Sequence, residues 1–306
     1  GEKGLNPEKV AKILVGSRGN HHEITAFIEK ALQAGMGERA LELLSNISEK
    51  DLRDTPAYIL EDHLFNTAVY GDPAKVLSPR VTSELLTPYR AYFQKNIPES
   101  LADMVSEDPA LFVTWCRENL QMRDDISLRY VQLDPARVWE TRLADTESRE
   151  IFFVTVCRSF GVDAWMDPIT RVVKYVHNGD IYDVDFDAKE QIVAPKGKLR
   201  LTYNEIPLLD DPKYEVHFSI SKYVNGEFQL QNYDGSWAEL FRQPREMDCG
   251  YYMLVSGSRM SGGNVFADVE FFTIEEGKTT VEELVMRDIA DQIRVIGSFD
   301  SEMKYN

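Results

Sequence analysis

The chain has 306 residues, of which 43% are hydrophobic and 28% are charged, and its formal net charge is -17. This length predicts two or three domains with a sizeable core, and the composition excludes a disordered chain. The sequence contains no basic stripe, so nucleic acid and acidic membranes are not expected as partners, and no run reaches the roughly 20 apolar residues of a transmembrane helix.

Neither cysteine nor histidine forms a pattern that binds a metal. The three cysteines form no disulfide framework and no Cys-x-x-Cys pair, and their apolar surroundings are typical of packed thiols. His21, His22 and His63 share no face with acidic residues, so they are predicted to be solvated or packed. A glycine-rich phosphate loop is missing as well, and the sequence therefore predicts no metal and no cofactor.

Residues 1–105 are predicted to be a helical region that packs on the rest of the fold. Apolar residues recur at helical spacing in a stretch that begins at Asn6 and again in residues 22–34, 38–46 and 57–67. Nothing in this region indicates a catalytic centre.

Residues 76–93 form a segment that contains prolines and charged residues. Its Ser-Pro and Thr-Pro steps fix the backbone, and Arg80, Glu84 and Arg90 are placed to form ion pairs at the edge of a groove. An ordinary set of surface ion pairs is the alternative interpretation. Asp108 then begins an amphipathic helix that leads into residues 124–142.

The most informative stretch begins with a helix predicted over residues 147–160. Apolar residues cover most of its circumference, which indicates deep burial. Asp145 or Thr146 is expected to cap its N-terminus through a side-chain oxygen, and Gly161 is expected to end it.

An antiparallel hairpin is predicted directly after this helix. Its strands cover residues 171–176 and 180–186, and Asn178 with Gly179 supplies the positive φ angles of a tight turn. The stretch therefore consists of one buried helix followed by two paired strands.

This arrangement resembles the core of the transglutaminase-like superfamily, whose fold is related to the papain-type cysteine proteases. In that family Gly-x-Cys-x-x-x-Ala opens the helix, Arg-x-x-Gly-Ile-Pro-Ala ends it, a His begins the next strand, and an Asp follows on the hairpin partner. The matching residues here are Arg158, Gly161, Val162, Ala164 and Asp185. Residues 76–93 also resemble a segment that precedes the core in some bacterial members.

The family's catalytic positions carry other residues in this chain. Thr146 stands at the nucleophile, and Thr170 or Arg171 stands where the family has His. A thiol at a helix N-terminus loses its proton readily, whereas a threonine hydroxyl needs a positioned base. His177 is expected to be a turn residue, and Cys157 lies about three turns into the helix. The resemblance therefore implies a scaffold that keeps Asp185 and has lost catalysis.

The same resemblance implies a groove beside the helix that still binds a ligand. Its candidate residues are Asp145, Arg149, Arg171 and Tyr175. A peptide or a glycan is the expected ligand, and the related proteins are exported bacterial proteins. This implies a location in the periplasm or at the cell surface, with a lipid anchor in the full-length protein, and the polar start Gly-Glu-Lys-Gly is typical of a trimmed chain.

After residue 195 the pattern changes from helical to alternating. Strands are predicted over residues 198–203, 214–223, 227–233, 250–256, 264–274 and 279–287. Regular short strands favour a β-sandwich of immunoglobulin or fibronectin type. Five aromatic residues are candidates for a sugar-stacking platform, with burial in the core as the alternative: Tyr233, Trp237, Tyr251, Tyr252 and Phe266.

The sequence thus predicts an α+β protein with four parts: a helical region at 1–105, a transglutaminase-like core at 106–195, a sandwich at 196–288, and the start of a linker or further domain at 289–306. Three functions compete. The first is a non-catalytic exported protein that binds a peptide or glycan or acts as a scaffold. The second is an acyl-transfer enzyme with Thr146 as nucleophile, and the third is a carbohydrate-binding sandwich module. Oligomeric state is not indicated.

Overall fold

The computed structural model of the chain describes residues 4–67, 71–123, 134–207, 209–259 and 265–286. The fold is mixed α+β, which confirms the predicted class. The chain divides into two compact units. The first unit comprises Gly1–Pro168 and Val172–Val193, and the second comprises Ile169–Arg171 and Ala194–Asn306.

The first unit is mainly helical. Its helices are α1 (Pro7–Ser17), α2 (His21–Gln33), α3 (Gly37–Ser45), α4 (Glu49–Asp54), α5 (Ala57–Phe65), α6 (Arg90–Asn96), α7 (Glu99–Glu107), α8 (Pro109–Asn119), α9 (Pro135–Thr141) and α10 (Thr146–Ser159). Side-chain caps start several of them: Asn6 accepts from the N–H groups of Glu8 and Lys9, and Asp108 accepts from the N–H of Ala110. No described helix has the length and apolar character needed to cross a bilayer.

Two hydrophobic cores stabilise this unit. Helices α1 to α5 enclose the first, which includes Ile24, Phe27, Leu41 and Leu60. Helices α6 to α10 and a small sheet enclose the second, in which Phe93 and Phe112 pack against the aromatic residues of α10. Residues 1–105 therefore contribute to both cores.

Helix α10 is the most deeply buried element, as predicted. Every residue from 151 to 159 is buried, and the Asp145 carboxylate caps the N-terminus by accepting from the N–H of Ser148 over 2.7 Å. Gly161, at φ 80°, follows the helix, and the N–H of Val162 returns to the carbonyl of Cys157. A residue without Cβ adopts this left-handed conformation at no steric cost, so the predicted end is confirmed.

The sheet after α10 has three antiparallel strands, where two were predicted. They are β3 (Ala164–Met166), β4 (Val173–His177) and β5 (Asp180–Asp183), in the order β3-β4-β5. The Asn178-Gly179 turn is confirmed, with φ angles of 52° and 87°. Thr170 and Arg171 lie in the turn before β4, so the first strand was predicted to begin two residues too early. Asp185 lies beyond β5, so the second strand was predicted to end three residues too late. A parallel pair, β1 (Gln121–Met122) with β2 (Leu143–Ala144), precedes α10.

The second unit contains two sheets around one core. Its strands are β6 (Lys196–Tyr203), β7 (Phe218–Val224), β8 (Glu227–Leu230), β9 (Arg245–Asp248), β10 (Gly250–Arg259), β11 (Val265–Ile274) and β12 (Thr279–Leu284), with the short helix α11 (Trp237–Leu240). The four-stranded sheet has the order β11-β10-β7-β8, and the three-stranded sheet has the order β12-β6-β9. Side chains of both sheets share the core, among them Leu199, Ile220, Leu254 and Phe272.

The sequence missed β9 and the parallel pairing of β6 with β12. The start of β7 was predicted at residue 214, four residues too early. Tyr214 is a large aromatic residue and is buried, as core-facing strand residues are. Tyr214 instead lies before the strand, and its hydroxyl accepts from the N–H of Ile220 over 2.9 Å. Residues 289–306 and the end of the last predicted strand lie outside the described ranges.

Candidate functional site

The N-terminus of α10 holds three of the predicted site residues. Asp145 is the cap, Thr146 is the first helical residue and is exposed to solvent, and Arg149 follows one turn later. The Arg149 guanidinium lies 4.2 Å from the centroid of the Phe186 ring. This cation–π contact joins α10 to the chain after β5.

Asp185 has a local structural role. Its carboxylate accepts from the N–H groups of Asp187 and Ala188 at 2.8 and 3.2 Å, and its own N–H donates to the Gln191 side chain. A carboxylate that accepts two N–H groups ahead in the chain fixes the geometry of a turn. Asp185 therefore holds the turn after β5.

Tyr175 lies on β4, and Arg171 lies in the turn before that strand. Tyr175 is 1% exposed, stacks on Tyr182 at 5.3 Å and packs against Phe153, so it is a core residue rather than part of an open groove wall. Burial raises the pKa of its hydroxyl. Arg171, at φ 61°, lies in the turn before β4 and belongs to the second unit. Of the predicted groove residues, Tyr175 is therefore closed to solvent.

The histidines and cysteines have other roles. His177 was predicted to be a turn residue but is the last residue of β4, directly before the Asn178-Gly179 turn, with its Nε2 2.9 Å from the Asn178 amide nitrogen. Cys116 and Cys157 are fully buried, and burial raises the pKa of both thiols. Across the described ranges, no group of three or more His, Cys, Asp or Glu residues is arranged to hold a metal ion.

Arg158, a residue of the predicted helix-exit motif, organises the segment before the core. Its guanidinium is 2% exposed. Nε donates to the carbonyls of Lys75 and Ala164, and Nη1 donates to those of Ser78 and Arg80, over 2.8 to 2.9 Å. One side chain near the end of α10 thus satisfies four backbone carbonyls.

The predicted ion pairs among Arg80, Glu84 and Arg90 are wrong. Arg80 pairs with the buried carboxylate of Asp51 at 2.6 Å, and the Glu84 carboxylate accepts from the N–H groups of Val81 and Thr82. Arg90 is completely buried and donates to His63 and to backbone carbonyls. The side-chain partners of Arg80 and Arg90 are 29 and 27 positions earlier in the chain, whereas Glu84 binds the backbone of its own turn.

A cleft of about 560 Å³ lies in the first unit between α4, α5 and residues 80–86. Thr55, Tyr58, Arg80 and Leu85 are among the residues that line it. It involves none of the residues at the N-terminus of α10. This cleft was not predicted from the sequence, because its walls come from separate stretches of the chain.

The outer face of the four-stranded sheet in the second unit carries a cluster of exposed aromatic rings. We call it the aromatic face; its rings are Tyr223 on β7, Phe228 on β8, Tyr251 on β10 and Phe271 on β11. Tyr223, Tyr251 and Phe271 are each exposed by 45 to 50%. Tyr251 and Phe271 are nearly parallel, 5.8 Å apart, and Phe228 lies 5.7 Å from Phe271. The rings therefore form one continuous surface across four strands.

Of the four predicted platform residues whose side chains the structure describes, one belongs to this face. Tyr251 is exposed, whereas Tyr252 and Tyr233 are buried and Trp237 packs on the core. The side chains of neighbouring residues in a strand point to opposite faces of the sheet, so Tyr251 and Tyr252 cannot lie on the same face. The side chain of Phe266 lies outside the described part of the chain.

The residues around the aromatic rings have apolar side chains or small side chains with a hydroxyl group. Strand alternation and register place Val255, Val269, Leu230, Ser219 and Ser221 on the same face. None of the face positions with described side chains on β7, β8, β10 and β11 is charged, although the protein has a net charge of -17. The face therefore suits an uncharged ligand.

Comparisons with protein families, with curated proteins and with solved structures find no match for this chain. The resemblance to the transglutaminase-like core therefore stays a prediction that rests on the motif around α10.

Proposed function

We propose that this protein is a non-catalytic glycan-binding protein, and that the aromatic face holds the glycan. The observation that carries the proposal is the set of four adjoining rings on an uncharged, solvent-exposed sheet surface. A pyranose ring presents an apolar C–H face, which packs on the flat face of an aromatic ring. Contiguous exposed apolar surfaces on soluble proteins mark interaction sites.

The residues at the family's catalytic positions support the non-catalytic part of the proposal. Asp145 caps α10, Asp185 holds a turn, and the two candidates for the position of the base, Thr170 and Arg171, lie in a turn instead of a strand. In this proposal the first unit, which contains α10, acts as a rigid scaffold. The exported location implied by the resemblance would place the protein where polysaccharides occur.

A binding assay tests the proposal. The purified chain is run in affinity electrophoresis through gels that contain neutral polysaccharides, and the retained ones are titrated calorimetrically. Removing one ring, in Tyr251→Ala or Phe271→Ala, should weaken binding ~tenfold, since a stacking contact contributes about 0.5–1.5 kcal/mol. Tyr58→Ala, which removes an exposed tyrosine from the first unit, is the matched control and should bind like the wild type.

Lack of retention by any neutral glycan would overturn the proposal. Retention that survives the double substitution Tyr251→Ala, Phe271→Ala would also overturn it, because the glycan would then bind elsewhere.

A further inference from the structure

A small cavity lies on the same sheet face as the aromatic rings, toward the other end of the strands. Its volume is about 220 Å³, and Ser219, Val255, Gly257 and Ala267 contribute to its lining. Register pairs Gly257 with Ala267 and Val255 with Ser219, so these residues belong to one face. Their side chains are small, and the face is therefore recessed where it carries no aromatic ring.

The turn before β7 forms the polar wall of this cavity through Glu215 and His217. The N–H of Lys213 donates to Nδ1 of His217 over 2.9 Å, and the N–H of Gly257 donates to the His217 carbonyl over 2.9 Å. Glu215 is held at φ 60° while its N–H donates to the Phe218 carbonyl over 2.7 Å. A non-glycine residue in this conformation costs about 1 kcal/mol or more and persists where its surroundings fix it.

The hydrogen-bonding state of His217 follows from these contacts. Because Nδ1 accepts a hydrogen bond, the hydrogen of the neutral ring is on Nε2, which is then a donor. Burial and the nearby charge of Lys213 lower the pKa of His217, so the ring is neutral at pH 7. The Glu215 carboxylate supplies acceptors beside it. A donor and an acceptor side by side match a pair of sugar hydroxyls, each of which both donates and accepts.

We infer that this cavity is a second subsite for the same glycan, in which His217 donates to, and Glu215 accepts from, the hydroxyls of one sugar unit. This inference rests on the proposed function. Tyr251 and Gly257 are six positions apart on β10, which corresponds to roughly 20 Å at about 3.3 Å per residue. An oligosaccharide lying along the strands, rather than a single sugar, therefore reaches both the aromatic rings and the cavity.

The test uses oligosaccharides of one to six units from the series that the wild type binds, with gluco-, xylo- and N-acetylglucosamine oligosaccharides as the starting set. Two variants address the cavity. Ala267→Leu fills it, and His217→Asn removes the Nε2 donor while its side-chain oxygen replaces the Nδ1 acceptor. Calorimetry should show that each variant binds the longest oligosaccharides ~tenfold more weakly, whereas the shortest ligands bind as they do to the wild type.

Circular dichroism and thermal unfolding identify variants that fail to fold, and at least one of the two substitutions is expected to keep the native unfolding temperature. Equal affinity of a folded variant and the wild type for long oligosaccharides, combined with weak binding by Phe271→Ala, would overturn the subsite and leave the proposed function standing. A wild type that binds no glycan would overturn both.

Discussion

Nε of Arg90 donates to Nδ1 of His63 over 2.7 Å, and both side chains are completely buried. The same guanidinium donates to the carbonyls of Arg158 and Val76. Burial lowers the pKa of Arg90 to about 10, and the group remains charged at neutral pH. A buried cation thus joins α5, the segment before α6 and the end of α10.

Removing this cation should destabilise the first unit. Arg90→Met leaves the acceptor nitrogen of His63 and two carbonyls without their donor, and we expect a loss of about 3–5 kcal/mol in the free energy of unfolding. Urea unfolding followed by circular dichroism measures it. Arg137→Met, at an exposed arginine of α9, is the control and should change stability by less than about 0.5 kcal/mol. Equal unfolding curves for the two variants would contradict the structural role of Arg90.

His63 should make the stability of the first unit dependent on pH. Burial, followed by the charges of Arg90 and Arg158, lowers its pKa well below 6.5. Below about pH 6.5 the unfolded chain takes up a proton that the folded chain does not, so this contribution is present at higher pH and falls by about 1.4 kcal/mol per pH unit as pH decreases towards the folded-state pKa.

The variant His63→Asn separates this effect from other titrations. Its side-chain oxygen replaces the Nδ1 acceptor and cannot be protonated in this range. Denaturant unfolding between about pH 7 and about pH 5 should therefore show a shallower loss of stability for the variant than for the wild type. A parallel decline in both proteins would show that His63 does not contribute.

The features that the sequence predicts well are local ones. Asp145 at the start of α10, Gly161 at its end and the Asn178-Gly179 turn each depend on a few adjacent residues, and all three are confirmed. The start of β4 and the end of β5 were less accurate, because apolar residues lie next to the strands there, outside the ladder pairs. The third strand, β3, is three residues long and carries no periodic signal.

The partners of the buried charged side chains could not be predicted from the sequence. Arg158 binds carbonyls some 80 positions earlier, and His63 and Arg90 are 27 positions apart. The aromatic face was missed for a different reason. Residues on both sides of β10 are apolar, so alternation separates Tyr251 from Tyr252 without indicating which side faces solvent.

The cap of α10 should contribute measurably to stability. Asp145→Ala removes the acceptor of the Ser148 N–H and should cost about 1 kcal/mol. Asp145→Asn keeps an acceptor and loses only the favourable interaction of a negative charge with the helix dipole, about 0.3–1 kcal/mol. Urea unfolding should rank the proteins as wild type, Asn variant and Ala variant in decreasing stability. An Ala variant as stable as the wild type would show that the cap is not needed.

Placing a thiol at the exposed start of α10, where the transglutaminase-like pattern has its Cys, tests whether that position is reactive. In Thr146→Cys the thiol would lie at the positive end of a 14-residue helix, which favours the thiolate. We expect rapid alkylation by iodoacetamide, detected by mass spectrometry, in the native protein. Cys116 and Cys157 should stay unmodified because both are buried with raised thiol pKa values, so in the wild type only the half-buried Cys249 is available as background.

The same variant should not cleave amides. The two candidates for the position of the base, Thr170 and Arg171, lie in the turn before β4, and the Asp185 carboxylate is engaged by the N–H groups of Asp187 and Ala188. Neither a threonine hydroxyl nor an arginine guanidinium at the position of the base supplies a proton as an imidazolium does, and the leaving amine must be protonated to depart. Release of a fluorescent amine from peptide amides by Thr146→Cys, above the rate of the wild type, would contradict the non-catalytic proposal and would favour an acyl-transfer enzyme that has lost only its nucleophile.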